Sequence, residues 1–141
     1  MTEVHDSPTG WVAKHIKSYV DSDGANGQHW HGVPTLLLTT TGRKSGKLRR
    51  SALIYGEQGT SYLVVASQGG ADQHPAWYLN LTDQPRVQLQ VGPDKFEATA
   101  RTATDAEKPA LWELMVGIWP DYAKYQTKTD RQIPVVILDK V

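Results

Sequence analysis

Five basic side chains fall within eight consecutive positions of the chain: Arg43, Lys44, Lys47, Arg49 and Arg50. Small residues interrupt this run, since Gly42, Ser45 and Gly46 lie among the cations. A glycine-containing turn exposes backbone N–H groups, and guanidinium, ammonium and hydroxyl groups donate hydrogen bonds to phosphate or carboxylate oxygens. The segment therefore predicts a cradle for an anion. A solvated hairpin tip is the alternative explanation for such a charge run.

Composition restricts the class of protein. The chain has 141 residues, enough for one domain with one hydrophobic core. Because there is no cysteine, disulfides, thiolate nucleophiles and cysteine-ligated metals are excluded, which fits a cytosolic protein. Fifteen Lys and Arg side chains balance fifteen Asp and Glu side chains, so no net field attracts nucleic acid. No apolar run approaches the roughly 20 residues that cross a bilayer, and the polar N-terminus argues against a secretory signal.

The polar side chains form no nucleophilic or metal-binding constellation of their own. Ser45 and Ser67 have no evident histidine partner and do not lie in a Gly-x-Ser-x-Gly elbow. Three histidines lack the spacing of metal ligands on one element: His29, His31 and His74. Gly42 and Gly46 are separated by three residues, whereas the phosphate loop of nucleotide hydrolases needs four. Any catalytic chemistry is therefore expected from a cofactor, with no metal involved.

Apolar periodicity predicts a mainly β protein with flanking helices. Strands are predicted over 36–40, 51–55, 62–66, 87–91, 96–100 and 135–138. Helices are predicted over about 8–20, over 76–81 and from Thr104, whose hydroxyl pairs with Glu107 in a capping box. Residues 21–32 predict a loop after the first helix. Strands this closely spaced favour one antiparallel barrel over a doubly wound sheet.

Two further segments carry residue types suited to a flat ligand. The segment 66–71, Ala-Ser-Gln-Gly-Gly-Ala, contains adjacent glycines that let a ligand approach the backbone. In the segment 74–81, Trp77 and Asn80 lie three residues apart and therefore share one face of the predicted helix. Ordinary core packing is the alternative role for Trp77.

Three segments, in this order, resemble the deazaflavin-dependent nitroreductase family: 39–46, 66–71 and 74–81. Members of that family are small reductases of mycobacteria and their relatives that use coenzyme F420. The similarity extends from about Leu36 to the C-terminus and includes 119–126 and 129–134. The resemblance implies a single-domain, antiparallel split β-barrel of the FMN-binding type, with F420 in a groove. It also implies hydride transfer from reduced F420 to a bound electrophile.

The resemblance also implies roles for individual residues. Beside the phosphate and oligoglutamate tail of the cofactor it places Arg43, Lys44, Ser45 and Arg49. Beside the deazaflavin it places Arg50, Ser51, Leu53, Ile54, Ala66, Ser67 and Gln68. Trp77 and Asn80 would close the other side of the groove, and Tyr122 would face the ring from the C-terminal segment. The substrate pocket would be lined by Ile54, Trp119, Tyr122 and Tyr125. The two expected catalytic residues, which would donate hydrogen bonds to the substrate, are Ser67 and Tyr122.

Three positions differ from the family members that activate nitro drugs. Ile54 and Trp119 stand where those members carry tyrosine, and Gln68 stands where lysine is common. An apolar Ile54 and a broad Trp119 favour flat, conjugated substrates. We therefore expect quinones or the activated double bonds of aflatoxin- and coumarin-like lactones more than nitro compounds.

Two alternatives use the same barrel. An FMN-dependent enzyme, such as a pyridoxamine-phosphate-oxidase-like protein, binds a single phosphate, whereas the basic run suits a longer polyanionic tail. A non-catalytic F420 carrier would need the cradle without the aromatic substrate lining. For a protein expected in the cytoplasm, two points stay open: a monomer or a homodimer, and contact of the N-terminal helix with the inner face of the cell membrane.

Overall fold

The computed structural model describes residues 4–6, 29–30 and 33–141. The helix predicted over 8–20 and most of the loop predicted over 21–32 lie outside these ranges. Near the end of the predicted loop, His29–Trp30 form a short strand that pairs with the start of the next strand. The prediction of a loop is therefore wrong at 29–30, because it depended on residue types, which do not reveal backbone pairing.

The described part of the chain contains more strand than helix. The strands are β1 (Val4–Asp6), β2 (His29–Trp30), β3 (Val33–Thr41), β4 (Leu48–Ile54), β5 (Gly56–Gln58), β6 (Ser61–Val65), β7 (Arg86–Val91), β8 (Asp94–Thr102) and β9 (Val135–Lys140). The helices are α1 (Ala76–Asp83), α2 (Lys108–Ile118) and α3 (Asp121–Thr127), with a 3-10 turn at Gln68–Gly70. All six predicted strands are confirmed, whereas β1, β2 and β5 are too short to show a period. None of the described helices combines the length and apolar character needed to span a membrane.

The sheet curls until its two ends approach each other. Its strand order is β1-β4-β3-β7-β8-β9-β6-β5, and its neighbours are antiparallel except for the parallel pair of β1 and β4. Tyr55 alone connects β4 to β5, although these strands lie near opposite ends of the order. Among the described residues, β4 and β6 therefore come close without pairing. The result is an open barrel split between β4 and β6, which confirms the predicted antiparallel split barrel.

Strand alternation gives the sheet an inner and an outer face. On the inner face, Leu36 and Leu38 of β3 stand opposite Leu53 and Ser51 of β4. The inner core continues through the other strands with Val64, Val87, Leu89, Ala98, Ala100, Val136 and Leu138. Leu81 of α1, 2% exposed, packs into the same core. Each large apolar side chain buried here contributes roughly 1.5–3 kcal/mol, which holds α1 against the inner face.

A second core on the outer face holds α2 and α3. Its strand residues are Leu63, Val65, Val135 and Ile137. Leu111 and Met115 of α2 and Tyr122 of α3 complete it. A Cβ built on Gly56 would lie 2.7 Å from Sδ of Met115 and 2.9 Å from Cδ2 of Leu114. The missing side chain of Gly56 therefore lets α2 cross directly over β5.

The predicted capping box forms at the start of α2. The N–H of Thr104 donates to Glu107 Oε1 at 3.0 Å, and the N–H of Glu107 donates to Thr104 Oγ1 at 3.3 Å. Arg101 donates to the same carboxylate at 2.8 and 3.0 Å, and this bond lowers the pKa of Glu107 to about 2. Regular helix begins later than predicted, at Lys108, with Pro109 in the first turn where its missing N–H needs no partner.

The close approach of α2 to β5 predicts opposite effects for two glycine substitutions. Gly56→Ala pushes a Cβ into α2 and should lower the free energy of unfolding by about 1–3 kcal/mol, as overpacking does. At Gly117, within α2, a Cβ would meet nothing within 4 Å. The control Gly117→Ala should therefore raise the free energy of unfolding by about 0.5–1 kcal/mol, because alanine favours a helix more than glycine does. Urea unfolding measures both values. Equal effects would contradict the packing of α2 on β5.

Candidate functional site

The basic turn, residues 42–47, joins β3 to β4 and is held in shape by its own backbone. The N–H of Gly42 donates to the carbonyl oxygen of Lys47 at 2.7 Å, and the N–H of Gly46 donates to that of Gly42 at 2.8 Å. Ser45 Oγ accepts from the N–H of Lys47 at 3.2 Å. The N–H groups of Gly42, Gly46 and Lys47 therefore bond within the turn and are not free to bind a ligand, contrary to what the sequence suggested.

Four of the five basic side chains between positions 43 and 50 face solvent, where an anion can reach them. Arg43, Lys44, Lys47 and Arg49 are exposed, and none of them forms an ion pair with a carboxylate of the described residues. Within the same part of the chain, the N–H groups of Lys44 and Ser45 find no acceptor. Neighbouring like charges repel one another, and a polyanion bound here would relieve that repulsion. The turn therefore fits a polyanionic group.

Asn80 of α1 ties the basic turn to the barrel. Its Oδ1 accepts from the backbone N–H of Arg43 at 3.1 Å and from Nη1 of Arg43 at 3.2 Å. Its Nδ2 donates to Thr40 Oγ1 at 3.3 Å. Asn80 is 4% exposed, so loss of these bonds would leave buried polar groups unpaired at a cost of about 1–3 kcal/mol. Asn80 thus connects the basic turn to β3. Trp77, the other site residue predicted on α1, is half-buried against the inner core.

The two faces of β4 divide the predicted site residues. In register with β3, Arg49, Ser51 and Leu53 lie on the inner face, where α1 packs. Arg50 and Ile54 lie on the outer face, where α2 and α3 pack. β1 covers β4 only as far as Arg50, and beyond it the edge of β4 has no strand partner in the described chain. A flat molecule along this edge would meet residues of both faces.

The loop at 66–71, which follows β6, has an unusual backbone conformation. Gln68 has φ 46°, the only positive φ of a non-glycine residue in the described chain. Such a conformation costs on the order of 1 kcal/mol, so the surroundings must impose it. Gly70 has φ 86°, and a Cβ there would lie 2.7 Å from the carbonyl oxygen of Tyr125. The loop is therefore pressed against α3.

Arg131 holds this loop, and the sequence analysis did not identify it as a site residue. Its Nε donates to the carbonyl oxygen of Ala71 and its Nη2 to that of Ser67, each at 2.7 Å. Its Nη1 lies 3.2 Å from the carbonyl oxygen of Ala66 and 3.0 Å from His74 Nδ1. These partners are 57 to 65 residues away in sequence, so no local pattern could reveal them. The only signal was the position of Arg131 in the last segment of the family resemblance.

Ser67 and Tyr122 belong to the loop and to α3, the two elements that meet at this contact. Ser67 is 8% exposed and Tyr122 is 5% exposed. No described residue hydrogen-bonds either hydroxyl, and Ser67 does not cap the 3-10 turn that follows it. Every fully buried polar side-chain atom of the described residues has a partner, so both hydroxyls reach the surface. Burial, with a smaller effect of Tyr125, raises the pKa of Tyr122, and the phenol stays protonated at neutral pH.

Aromatic side chains lie on the outer side of the split. The rings of Tyr122 and Tyr125 are 6.1 Å apart in an edge-to-face arrangement. Trp119 Nε1 donates to Tyr125 OH at 3.4 Å, and the ring of Trp112 stands 6.4 Å from that of Tyr122. Trp119 and Tyr125 are both partly exposed. All four predicted pocket residues therefore lie on the outer side of the sheet: Ile54, Trp119, Tyr122 and Tyr125.

Helix α3, which carries two of these aromatic residues, was not predicted. It starts directly after Pro120 and spans only Asp121–Thr127, a length that gives no complete apolar period.

No group of three or more His, Asp or Glu side chains within the described residues could hold a metal ion. The arrangement can therefore grip a polyanion, support a flat ring and donate hydrogen bonds.

A family model described as F420H(2)-dependent quinone reductase matches residues 11–140 of this chain. The chain is also 40% identical over 124 residues to an F420H(2)-dependent quinone reductase of Mycobacterium tuberculosis, a match that covers 83% of each protein.

Two solved structures are similar over most of the chain. One, described as an F420-H2 dependent reductase (FDR-A), is 46% identical with a TM-score of 0.70, over 75% of this chain and 94% of that one. Another, described as a domain-swapped dimer, is 41% identical with a TM-score of 0.71, over 94% of this chain and 100% of that one. Because the family model spans nearly the whole sequence, this chain belongs to the F420H(2)-dependent quinone reductase family.

Proposed function

We propose that this chain is an enzyme that transfers a hydride from reduced F420 to quinones. Family membership supports the reaction, since the matching model and the mycobacterial relatives are described as F420H(2)-dependent quinone reductases. The structural observation that carries the proposal combines a basic turn, whose cations form no ion pair among the described residues, with the hydroxyls of Ser67 and Tyr122, which no described residue hydrogen-bonds. The turn would grip an anionic tail, and the hydroxyls would serve a substrate that gains negative charge.

The tail of F420 would lie at the basic turn. Arg43, Lys44 and Arg49 would hold its phosphate and carboxylates through charge-assisted hydrogen bonds, each worth roughly 1.5–3 kcal/mol. Ser45 accepts a bond inside the turn and keeps its O–H for donation to the ligand. The two bonds that Asn80 accepts from Arg43 fix the turn before any ligand arrives, which reduces the entropy lost on binding.

The deazaflavin would lie beyond the tail, along the open edge of β4. The residues proposed to surround it are Arg50, Ser51, Leu53, Ile54, Ala66, Ser67, Gln68, Trp77 and Tyr122. When bound, reduced F420 supplies the hydride, and the residues of this chain supply position and polarity. Because Ser51 and Leu53 face the inner side and Ile54 the outer side, the ring would meet the substrate at the strand edge.

Tyr122 and Ser67 would stabilise the charge that develops on a quinone oxygen. A hydroxyl donates a hydrogen bond only while it is protonated. The raised pKa of Tyr122 keeps its proton in place at neutral pH. Fixed donors aimed at developing charge are among the larger contributions to catalysis, so these two residues are the proposed catalytic residues.

The outer side of the split suits flat acceptors. Ile54 is apolar, and the indole of Trp119 together with the ring of Tyr125 presents a broad aromatic surface. Quinones fit this description. We propose conjugated enones and lactones, of the aflatoxin and coumarin kind, as a second substrate class and nitro compounds as poorer substrates.

A cytoplasmic homodimer is also proposed. The dimer is supported by the 41% identical solved structure that is described as a domain-swapped dimer. The cytoplasmic location rests on a sequence of 141 residues without cysteine. The N-terminal helix, for which membrane contact was considered, lies outside the described residues.

Titration with cofactors tests the proposed function. F420 should quench the tryptophan fluorescence with a Kd on the order of micromolar, and FMN should bind at least about 10-fold more weakly because it has one phosphate. Lys44→Ala should weaken F420 binding about 10-fold, since it removes one charge-assisted bond, and should not affect a deazaflavin without the tail. Lys95→Ala, at the β7–β8 hairpin, is the matched control and should bind F420 normally.

Three outcomes would count against this proposal. Quenching by FMN alone would contradict the cofactor. Equal losses for F420 and the tail-less deazaflavin in Lys44→Ala would mean that the basic turn does not hold the tail. Tight F420 binding without quinone-dependent oxidation of reduced F420 would make the chain an F420 carrier.

Removal of the Tyr122 hydroxyl should slow turnover without weakening the cofactor. Tyr122→Phe should lower kcat for quinone reduction about 100-fold, the order seen when a fixed donor to developing charge is lost. The Kd for F420 should be unchanged. Tyr78→Phe, which loses a hydrogen bond between the hydroxyls of Tyr78 and Thr102 at 2.8 Å, is the control and should retain full kcat. Equal kcat in both variants would exclude Tyr122 as a catalytic donor.

A further inference from the structure

Arg131 contacts the loop at 66–71 through backbone acceptors. Its guanidinium donates to the carbonyl oxygens of Ala66, Ser67 and Ala71 at 3.2, 2.7 and 2.7 Å. It forms no ion pair with a carboxylate in the described part of the chain. Burial lowers the pKa of Arg131, and the charge of Asp72 partly offsets that effect. A planar fork of five donors can reach several carbonyls at once, whereas a lysine ammonium cannot.

The carbonyl oxygens that Arg131 holds lie on both sides of a strained residue. Gln68, with φ 46°, follows Ser67 directly and precedes Ala71. Without these bonds the loop could relax toward ordinary dihedral angles and move away from α3. Ser67 would move with the loop, because its own carbonyl oxygen is one of the acceptors. Tyr122 would stay in place, since it is packed in the outer core.

We propose that Arg131 is a positioning residue that holds Ser67 beside Tyr122, so that both hydroxyls serve one substrate. It acts through the backbone of the loop and is not itself a catalytic residue. The part that concerns substrate rests on the proposed function, whereas the control of loop shape by Arg131 does not. The observation behind it is the set of three carbonyl contacts around Gln68.

His74 makes the contact sensitive to pH. Because a guanidinium has only donors, His74 Nδ1 must accept from Arg131 at 3.0 Å, which leaves the ring proton on Nε2. Burial and then the charge of Arg131 lower the pKa of His74. Tyr78, with its ring 4.8 Å away, also faces the imidazole. The contact is therefore intact at neutral pH and is lost as the pH falls through the lowered pKa of His74. Protonated Nδ1 carries a hydrogen and can no longer accept the bond from Arg131 Nη1.

Nuclear magnetic resonance of the full chain without cofactor tests this inference independently of activity. Arg131→Met removes the donors and the charge, so the pKa of His74 should rise toward that of an ordinary histidine. Amide hydrogen exchange within 66–71 should become about 10-fold faster, because local opening becomes easier. Arg86→Met, which loses only a surface pair with Glu97 at 3.0 Å, should change neither measurement.

Arg131→Lys gives a second, milder variant in case the methionine variant folds poorly. It retains the charge and loses the fork, so it should keep the low pKa of His74 and still accelerate exchange in the loop. An unchanged pKa in Arg131→Met together with unchanged exchange in both variants would overturn the inference.

Kinetics of quinone reduction give the functional readout. Arg131→Met should lower kcat about 10- to 100-fold, the loss expected when a reacting group is misplaced by about 1 Å. The Kd for F420 should rise only about 3-fold, because the loop would border the deazaflavin alone and Asn80, not Arg131, anchors the basic turn that would hold the tail. In the wild-type protein, kcat should decrease as the pH is lowered through the pKa of His74. His74→Asn, whose amide oxygen accepts without titrating, should remove that fall.

The outcomes separate this inference from the proposed function. A parallel loss of kcat, F420 affinity and thermal stability in Arg131→Met would show a general structural role and overturn the inference. If the wild-type protein reduces no quinone, the proposed function fails, and the exchange rates and the pKa of His74 still decide the role of Arg131.

Discussion

The open edge of β4 is the constraint on which the rest of the structure depends. Because Tyr55 alone connects β4 to β5, the ends of the sheet face each other without pairing in the described chain. An open edge lets a ligand lie beside the strand and touch residues of both faces, whereas in a closed barrel a neighbouring strand would occupy that edge. The period of two along β4 directs Ser51 and Leu53 inward and Ile54 outward. A flat molecule lying along this edge would therefore be in reach of residues from both faces of β4.

Two buried or partly buried polar side chains fix the flexible parts of this edge. Asn80 reaches from α1 to the backbone of Arg43 and holds the basic turn. Arg131 reaches from the segment before β9 to the backbone of the loop after β6. Both act on main-chain groups, so they constrain shape more strongly than a contact between two mobile side chains would. The exposed cations and the two hydroxyls are therefore presented by rigid supports.

Much of the fold follows from local pattern, because six strands and the capping box at Glu107 depend on neighbours in sequence. The site is only partly predictable in that way. The cations of the basic turn were identified from composition, and Ser67 and Tyr122 from the family resemblance. Arg131 was missed because its partners are 57 to 65 residues away. The division of β4 residues between two faces needed the register with β3, which the strand pattern alone does not specify.

Hydride transfer from F420 to a quinone is tested most directly by a single-turnover experiment. The protein is loaded with reduced F420, with hydrogen or deuterium at the transferred position, and mixed with a quinone while the absorbance of oxidised F420 is followed. We expect rapid oxidation that requires the protein and is slower with deuterium. Oxidation at the same rate with and without the protein, or bound F420 that stays reduced, would contradict the assignment as a quinone reductase.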